Sequence, residues 1–197
     1  MKWGEIQIES LKKMFLNKDN LEISKLEEYK NDKKYKTYLF AMPQACNEAI
    51  SYITSVLGGK SQIETIERTN TNDYYNLEDI IDEFGKLKDV ICSNNIKWKM
   101  ISETILYIEN WIDEEISILY EVKPDPIKST TTNTREINLP SKYANLIPLY
   151  IAGELYKDDD LTLSTMYMNE FMTLVNTYSN DRFNYNNSRI ETIYSME

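Results

Sequence analysis

The sequence predicts an α+β protein: a helical bundle core, an inserted small antiparallel β-rich module, and an extended C-terminal arm. Three observations lead there. Apolar residues recur at helical spacing up to Leu57 and again from Tyr143 to Tyr178, whereas between Ser61 and Pro140 they gather in short runs rich in isoleucine, valine, tyrosine and threonine. Gly58-Gly59 and Pro140 stand where the two textures meet. After Tyr178 the core pattern stops and an asparagine-rich polar stretch follows. The expected division is residues 1–58 with 141–178 as the helical core, 59–140 as the β-rich insertion and 179–197 as the arm.

The first helix is expected from Ile6 to Leu16, with Ile6, Leu11, Met14 and Phe15 near one face and Lys12 and Lys13 opposite. Asn20 is placed to cap a second helical piece carrying Leu21, Ile23, Leu26 and Tyr29. From Tyr35 the stripe Tyr35, Tyr38, Leu39, Met42, Cys46, Ala49, Ile50, Ile53, Val56 and Leu57 keeps one helical face, with Pro43 as a kink or a new start. Glycine past a helix C-terminus is a common terminator, so Gly58-Gly59 ends it. Strands are expected at Ile63–Thr69, Asp89–Ser93, Ile96–Met100, Thr104–Ile108 and Ile116–Val122, with a short helix over Leu77–Phe84. Pro124 and Pro126 introduce a loop through Ser129 to Asn133. Ser141 is placed to cap an almost wholly apolar helix from Tyr143 to Leu155. A last helix, after Asp158-Asp159-Asp160, packs Tyr167, Met168, Phe171, Met172, Leu174, Val175 and Tyr178.

Composition narrows the chemistry. The chain has 197 residues, 42% hydrophobic and 27% charged, which is a globular composition. It contains no histidine, which removes Ser-His-Asp and Cys-His catalysis, histidine-ligated zinc and a histidine pH switch. Its five glycines form neither a phosphate-cradling loop nor a dinucleotide fingerprint. Cys46 and Cys92 make no C-x-x-C motif and read as reduced core thiols. The N-terminal residues lack the apolar run of a signal peptide, and the apolar stretch Leu146 to Ala152 is too short to span a bilayer. A protein without catalytic site, metal or cofactor, made in the cytoplasm, is expected.

Charge is unevenly placed. Residues 1–40 carry nine basic and seven acidic side chains, a net of +2, residues 41–60 are neutral, residues 61–140 carry −8 and residues 141–197 carry −4. No segment has the dense basic stripe that supplies affinity for DNA phosphates. Asp158-Asp159-Asp160 is the one dense carboxylate run. It reads as a helix start, where aspartate caps free N–H groups, ahead of the alternative reading as a divalent-metal site. The pairs Glu78/Asp79, Asp82/Glu83 and Glu114/Glu115 read as solvated charge. In the arm, Arg189 to Met196 has β-type residues and no glycine or proline, so it is expected to fray or to add as a strand to a neighbour's sheet edge.

Several segments together resemble the head–tail adaptor (connector) proteins of tailed bacteriophages from low-GC Gram-positive hosts. They are Trp3-Gly4-Glu5-Ile6-Gln7 leading to Leu11-Lys12-Lys13-Met14-Phe15, then Asn47-Glu48-Ala49-Ile50, and Tyr75-Asn76-Leu77 before Asp82-Glu83-Phe84. Leu119-Tyr120-Glu121-Val122-Lys123-Pro124 follows, and then Ile137-Asn138-Leu139-Pro140 ahead of Tyr150-Ile151-Ala152-Gly153-Glu154-Leu155 and Asp158-Asp159-Asp160. The likeness is one of order and texture across nearly the whole chain. It implies a virion neck protein: a homo-oligomeric ring of twelve copies under the portal, joined to the tail or a second connector, with DNA passing through the channel and no membrane contact. It also implies that the arm reaches the portal, which makes Arg189, Ile190, Thr192, Ile193, Tyr194 and Met196 the expected portal-binding residues. Rival readings are another neck component (a stopper or tail-completion protein), a metal-dependent hydrolase built on Asp158–Asp160, and a partner-binding domain unrelated to virions.

Overall fold

The computed structural model describes residues 1–15, 20–67, 73–91, 97–109 and 115–194, with side chains described as far as Asp181. The chain is α+β and divides into two compact units: Met1–Gly58 with Pro126–Glu197, and Gly59–Asp125.

The helical unit is built on α1 (Trp3–Met14). Glu5 reaches back 2.7 Å to accept from the Lys2 N–H, and Lys12 and Lys13 lie in the last turn, so charge at both ends opposes the helix dipole. The helix is buried on most of its circumference: Trp3, Ile6, Ile8, Leu11 and Met14 are in the core, and Gln7 and Ser10 are buried too. Its end groups therefore need protein partners. The Trp3 N–H donates to the Arg135 carbonyl at 2.8 Å and the Gly4 N–H to the Asn133 carbonyl at 2.9 Å. Ile137 N–H donates to the Met1 carbonyl at 3.1 Å, and Lys2 and Glu136 form an antiparallel bridge. At the other end the Tyr167 hydroxyl donates to the Lys13 carbonyl at 2.8 Å.

Residues 126–140, read from the sequence as part of the β-rich stretch, lie in the helical unit for this reason. Ile127, Ile137 and Leu139 are buried in its core. Short polar runs with prolines look like loop whichever unit they serve. What assigns these residues is the set of α1 N–H groups they satisfy.

A 3₁₀ turn (Ile23–Lys25) and α2 (Leu26–Tyr29) lead to α3 (Lys36–Leu57), which continues through Pro43 as one helix. The turn begins from Glu22, with no side-chain cap from Asn20. Gly58 ends α3 at φ 76°, a conformation that favours glycine. After Pro140, the single helix expected over Tyr143–Leu155 is two, α5 (Ser141–Ala144) and α6 (Ile147–Leu155). Pro148 opens α6, where a missing N–H costs nothing, and the α5 N-cap is Pro140 rather than Ser141. The next helix, α7 (Leu161–Tyr194), packs against α6 and α3. A Cβ at Gly153 would meet the Met168 backbone nitrogen at 3.2 Å, so glycine permits this approach, and the buried Ser164 hydroxyl donates to the Gly153 carbonyl at 2.7 Å.

The expected extended arm is corrected by α7: residues 179–194 continue the helix. No glycine or proline occurs from Leu161 onward, and extending a helix adds a hydrogen bond per residue, whereas a strand needs an edge to pair with. The residues that alternate as a strand, Ile190 and Tyr194 with Ile193, also stand at i, i+3 and i+4.

The second unit has two antiparallel three-stranded sheets. In one, β6 (Glu115–Val122) lies between β1 (Ser61–Glu67) and β3 (Phe84–Ile91). In the other, β5 (Ile105–Glu109) lies between β2 (Tyr74–Asn76) and β4 (Lys97–Met100). Inward residues of both, among them Ile66, Val90, Leu106, Ile108, Ile116 and Ile118, share one core with Leu77 and Ile81 of and beside α4 (Leu77–Ile80). β3 begins at Phe84, five residues ahead of the expected start. Its glycine and lysines hide the strand pattern, and register shifts near Gly85 and Lys88 disturb the alternation. Gly85 is required there, since a Cβ would lie 2.7 Å from the Glu121 carbonyl oxygen.

A Cβ at Gly4 would lie 3.1 Å from both the Asn133 carbonyl oxygen and the Asn133 Cβ. Gly4→Val is expected to lower unfolding stability by about 1–3 kcal/mol by forcing the two segments apart. The denaturant midpoint measures this, and an unchanged midpoint would contradict the contact.

Candidate functional site

The carboxylate run ahead of α7 is engaged in structure. Asp160 Oδ1 accepts from the Leu163 N–H at 3.0 Å as the cap of α7, and the Asp160 carbonyl accepts from Ser164 N–H at 2.9 Å. Asp159 Oδ2 accepts from the Tyr38 hydroxyl at 2.6 Å. Among the described residues no group of three or more His, Cys, Asp or Glu is placed to hold a metal ion.

That tyrosine belongs to an aromatic seam. Phe15 meets Tyr35, Tyr38 and Tyr156 edge-on at 5.1, 5.6 and 6.0 Å, and the Lys34 ammonium lies 4.9 Å from the Phe15 ring centre. Burial, reinforced by the Asp159 carboxylate, pushes the Tyr38 phenol well above its ordinary value. Cys46 is fully buried, and burial pushes its thiol up to about 12, so it stays protonated and inert. Cys92 lies outside the described residues.

The expected portal-binding residues Arg189, Ile190, Thr192, Ile193 and Tyr194 fall on the last turns of α7, where the backbone is helical, and Met196 lies outside the described residues. The backbone of this segment is helical as far as Tyr194, rather than the extended strand that the sequence suggests.

Sequence reasoning missed a groove on the helical unit, between α3 and residues 127–131. Its far wall is pinned by Asn47, which acts on the backbone as a neighbouring strand would. The Asn47 Nδ2 donates to the Ile127 carbonyl and its Oδ1 accepts from the Ile127 N–H, both at 2.8 Å. The Lys128 N–H then donates to Thr131 Oγ1 at 2.9 Å, and Thr131 N–H returns to the Lys128 carbonyl at 3.0 Å. Phe40 stands in the opening, 80% exposed. The one available signal was that Phe40 lies off the apolar stripe of α3, where a large aromatic side chain has no core to enter.

No family model matches the chain, and no curated protein matches it. Among the described residues no helix is long and apolar enough to cross a membrane.

The raised Tyr38 pKa sets a pH dependence. Below about pH 10 both folded and unfolded states keep the phenol proton, so its contribution is fully present. As pH rises further the unfolded chain ionises first, and stability falls. Denaturant midpoints between pH 8 and 11.5 are expected to fall less steeply above pH 10 in Tyr38→Phe than in the unaltered chain. Parallel curves would show that Tyr38 is not held in its protonated form.

Proposed function

We propose that the chain is a structural neck protein of tailed bacteriophages, a head–tail adaptor. Twelve copies ring the underside of the portal, join the capsid vertex to the tail or a second connector, and leave a channel for DNA. It acts without catalysis or cofactor, in the virion neck, after assembly in the host cytoplasm.

The observation that carries this reading is the length of α7. Among the residues whose side chains are described, Val175 is the last in the buried core, with Tyr178 packed partly against that core, and the helical backbone runs on to Tyr194. About 24 Å of helix follow Tyr178. Propagation from the packed part of α7 carries the helix on, while an isolated helix of about that length would be marginal in water. A partner surface would add stability to the extension, and in the adaptor reading that surface is the portal, met by a helix laid into a groove. Each copy need bind only weakly, because a ring presents many such helices at once. The net charge of −8 over residues 61–140 also suits a channel protein, since carboxylates near the lumen let a duplex slide rather than adhere. That repulsion acts only within about 8 Å in physiological salt, so it depends on lumen-facing groups.

The test is capture of the cognate portal by the full-length chain and by a 1–178 truncation. Full-length protein is expected to retain portal, and the truncation to retain at least tenfold less while keeping its helical circular dichroism and cooperative unfolding. Equal capture by a folded truncation rejects α7 as the portal contact.

A further inference from the structure

The groove beside α3 has a narrow end of about 200 Å³, walled by Trp3, Leu39, Phe40 and Pro43 and reached by Gln7, Lys30 and Lys36. Gln7 is 3% exposed, and its Oε1 has no hydrogen-bond partner. A buried amide oxygen without a donor is costly, and a turn of the Gln7 side chain toward the groove lets a ligand O–H or N–H supply what is missing. Past Phe40 the depression widens to about 540 Å³, between Gln44, Asn47 and Ser51 of α3 and Ile127 and Lys128 opposite. From Lys36 to Ser51 the helix covers about 22 Å. That is the span of about six or seven residues of extended chain, a shape suited to a peptide rather than a compact metabolite.

Charge identifies the kind of peptide. Lys30, Lys36 and Lys128 line the groove against the single carboxylate of Glu48, which accepts from Gln44 Nε2 at 3.1 Å. Lys30 already meets Glu27 at 2.6 Å, so Lys36 and Lys128 carry most of the attraction.

We propose that this groove binds an extended acidic peptide that places one tyrosine in the narrow end. The tyrosine ring lies between Trp3, Leu39 and Pro43, and its hydroxyl bonds to the Gln7 amide. A phenol both donates and accepts, so it satisfies that amide in either orientation. Carboxylates on either side of the tyrosine meet the lysines, and Phe40 folds over the occupant at the rim. The site is independent of the adaptor reading: it requires a partner carrying such a segment, whether or not the chain stands in a neck ring.

The probe is a displayed library of random heptapeptides, selected on the full-length chain and counter-screened on Lys36→Glu and Phe40→Asp. Both positions are exposed, so neither variant disturbs the core. Selected sequences are expected to carry a tyrosine with aspartate or glutamate within three residues, and capture is expected to fall at least tenfold on either variant. A synthetic form of the best sequence with phenylalanine for tyrosine is expected to bind about five- to tenfold more weakly, a preference that disappears in Gln7→Met. Selected sequences that match a segment of this chain would identify the partner as a second copy. The proposal is overturned by sequences lacking acidic enrichment, by undiminished capture on both variants, or by no selection above background.

Discussion

A helix with little of its surface in water has nowhere to send its unpaired end groups, and α1 is such a helix. Its first N–H groups are taken by the Asn133 and Arg135 carbonyls, and its Lys13 carbonyl by the Tyr167 hydroxyl. Much of the helical unit follows from this. The chain returning from the β unit must lie across the start of α1, which leaves little room for a side chain at Gly4 and buries Ile137 and Leu139 in the same core. Farther back along the same return, Asn47 ties Ile127 to α3. The groove wall is thus made of backbone held at both ends, and a rigid wall is what a peptide site requires.

The elements that declared themselves in the sequence were those whose own burial writes a period. α3 is legible because Leu39, Met42, Cys46, Ala49, Ile50 and Ile53 recur on one face, and β6 because Ile116, Ile118, Tyr120 and Val122 alternate inward. The mixed α+β class follows from those two periods. The illegible parts depend on partners far away in sequence. Three-residue β2 exists only as the partner of β5, and the assignment of residues 126–140 depends on hydrogen bonds to α1. The C-terminal segment carries both periods at once, since Ile190, Ile193 and Tyr194 fit a helix face as well as a strand, and continuity with α7 decides between them. The groove was hidden for a further reason: Gln7, on a buried helix, looks in sequence like a solvent-facing residue.

These features bear together on function. The described residues use their polar groups in structural tasks: Asp160 as a cap, Asp159 as a tyrosine partner, Cys46 as a protonated core thiol. Among the described residues, two features stand apart from these tasks: the helical backbone of α7 that continues past Tyr178, and a lysine-bordered groove with an unsatisfied amide at its narrow end. Both accord with the proposed role of holding other proteins. The long helix fits the portal contact of an adaptor, and the groove fits an acidic segment supplied by a neighbour.

The account rests on α1 being closed at its start by the returning chain, and amide hydrogen exchange tests that directly. First-turn N–H groups of a helix ordinarily exchange as freely as a terminus, because they have no partner within the helix. With the Asn133 and Arg135 carbonyls in place, the Trp3 and Gly4 amides are expected to exchange as slowly as those of Ile8 and Leu11 in the middle of α1. Rapid exchange at Trp3 and Gly4 beside slow exchange at Ile8 and Leu11 would show an open helix start, and the groove wall would lose its anchor.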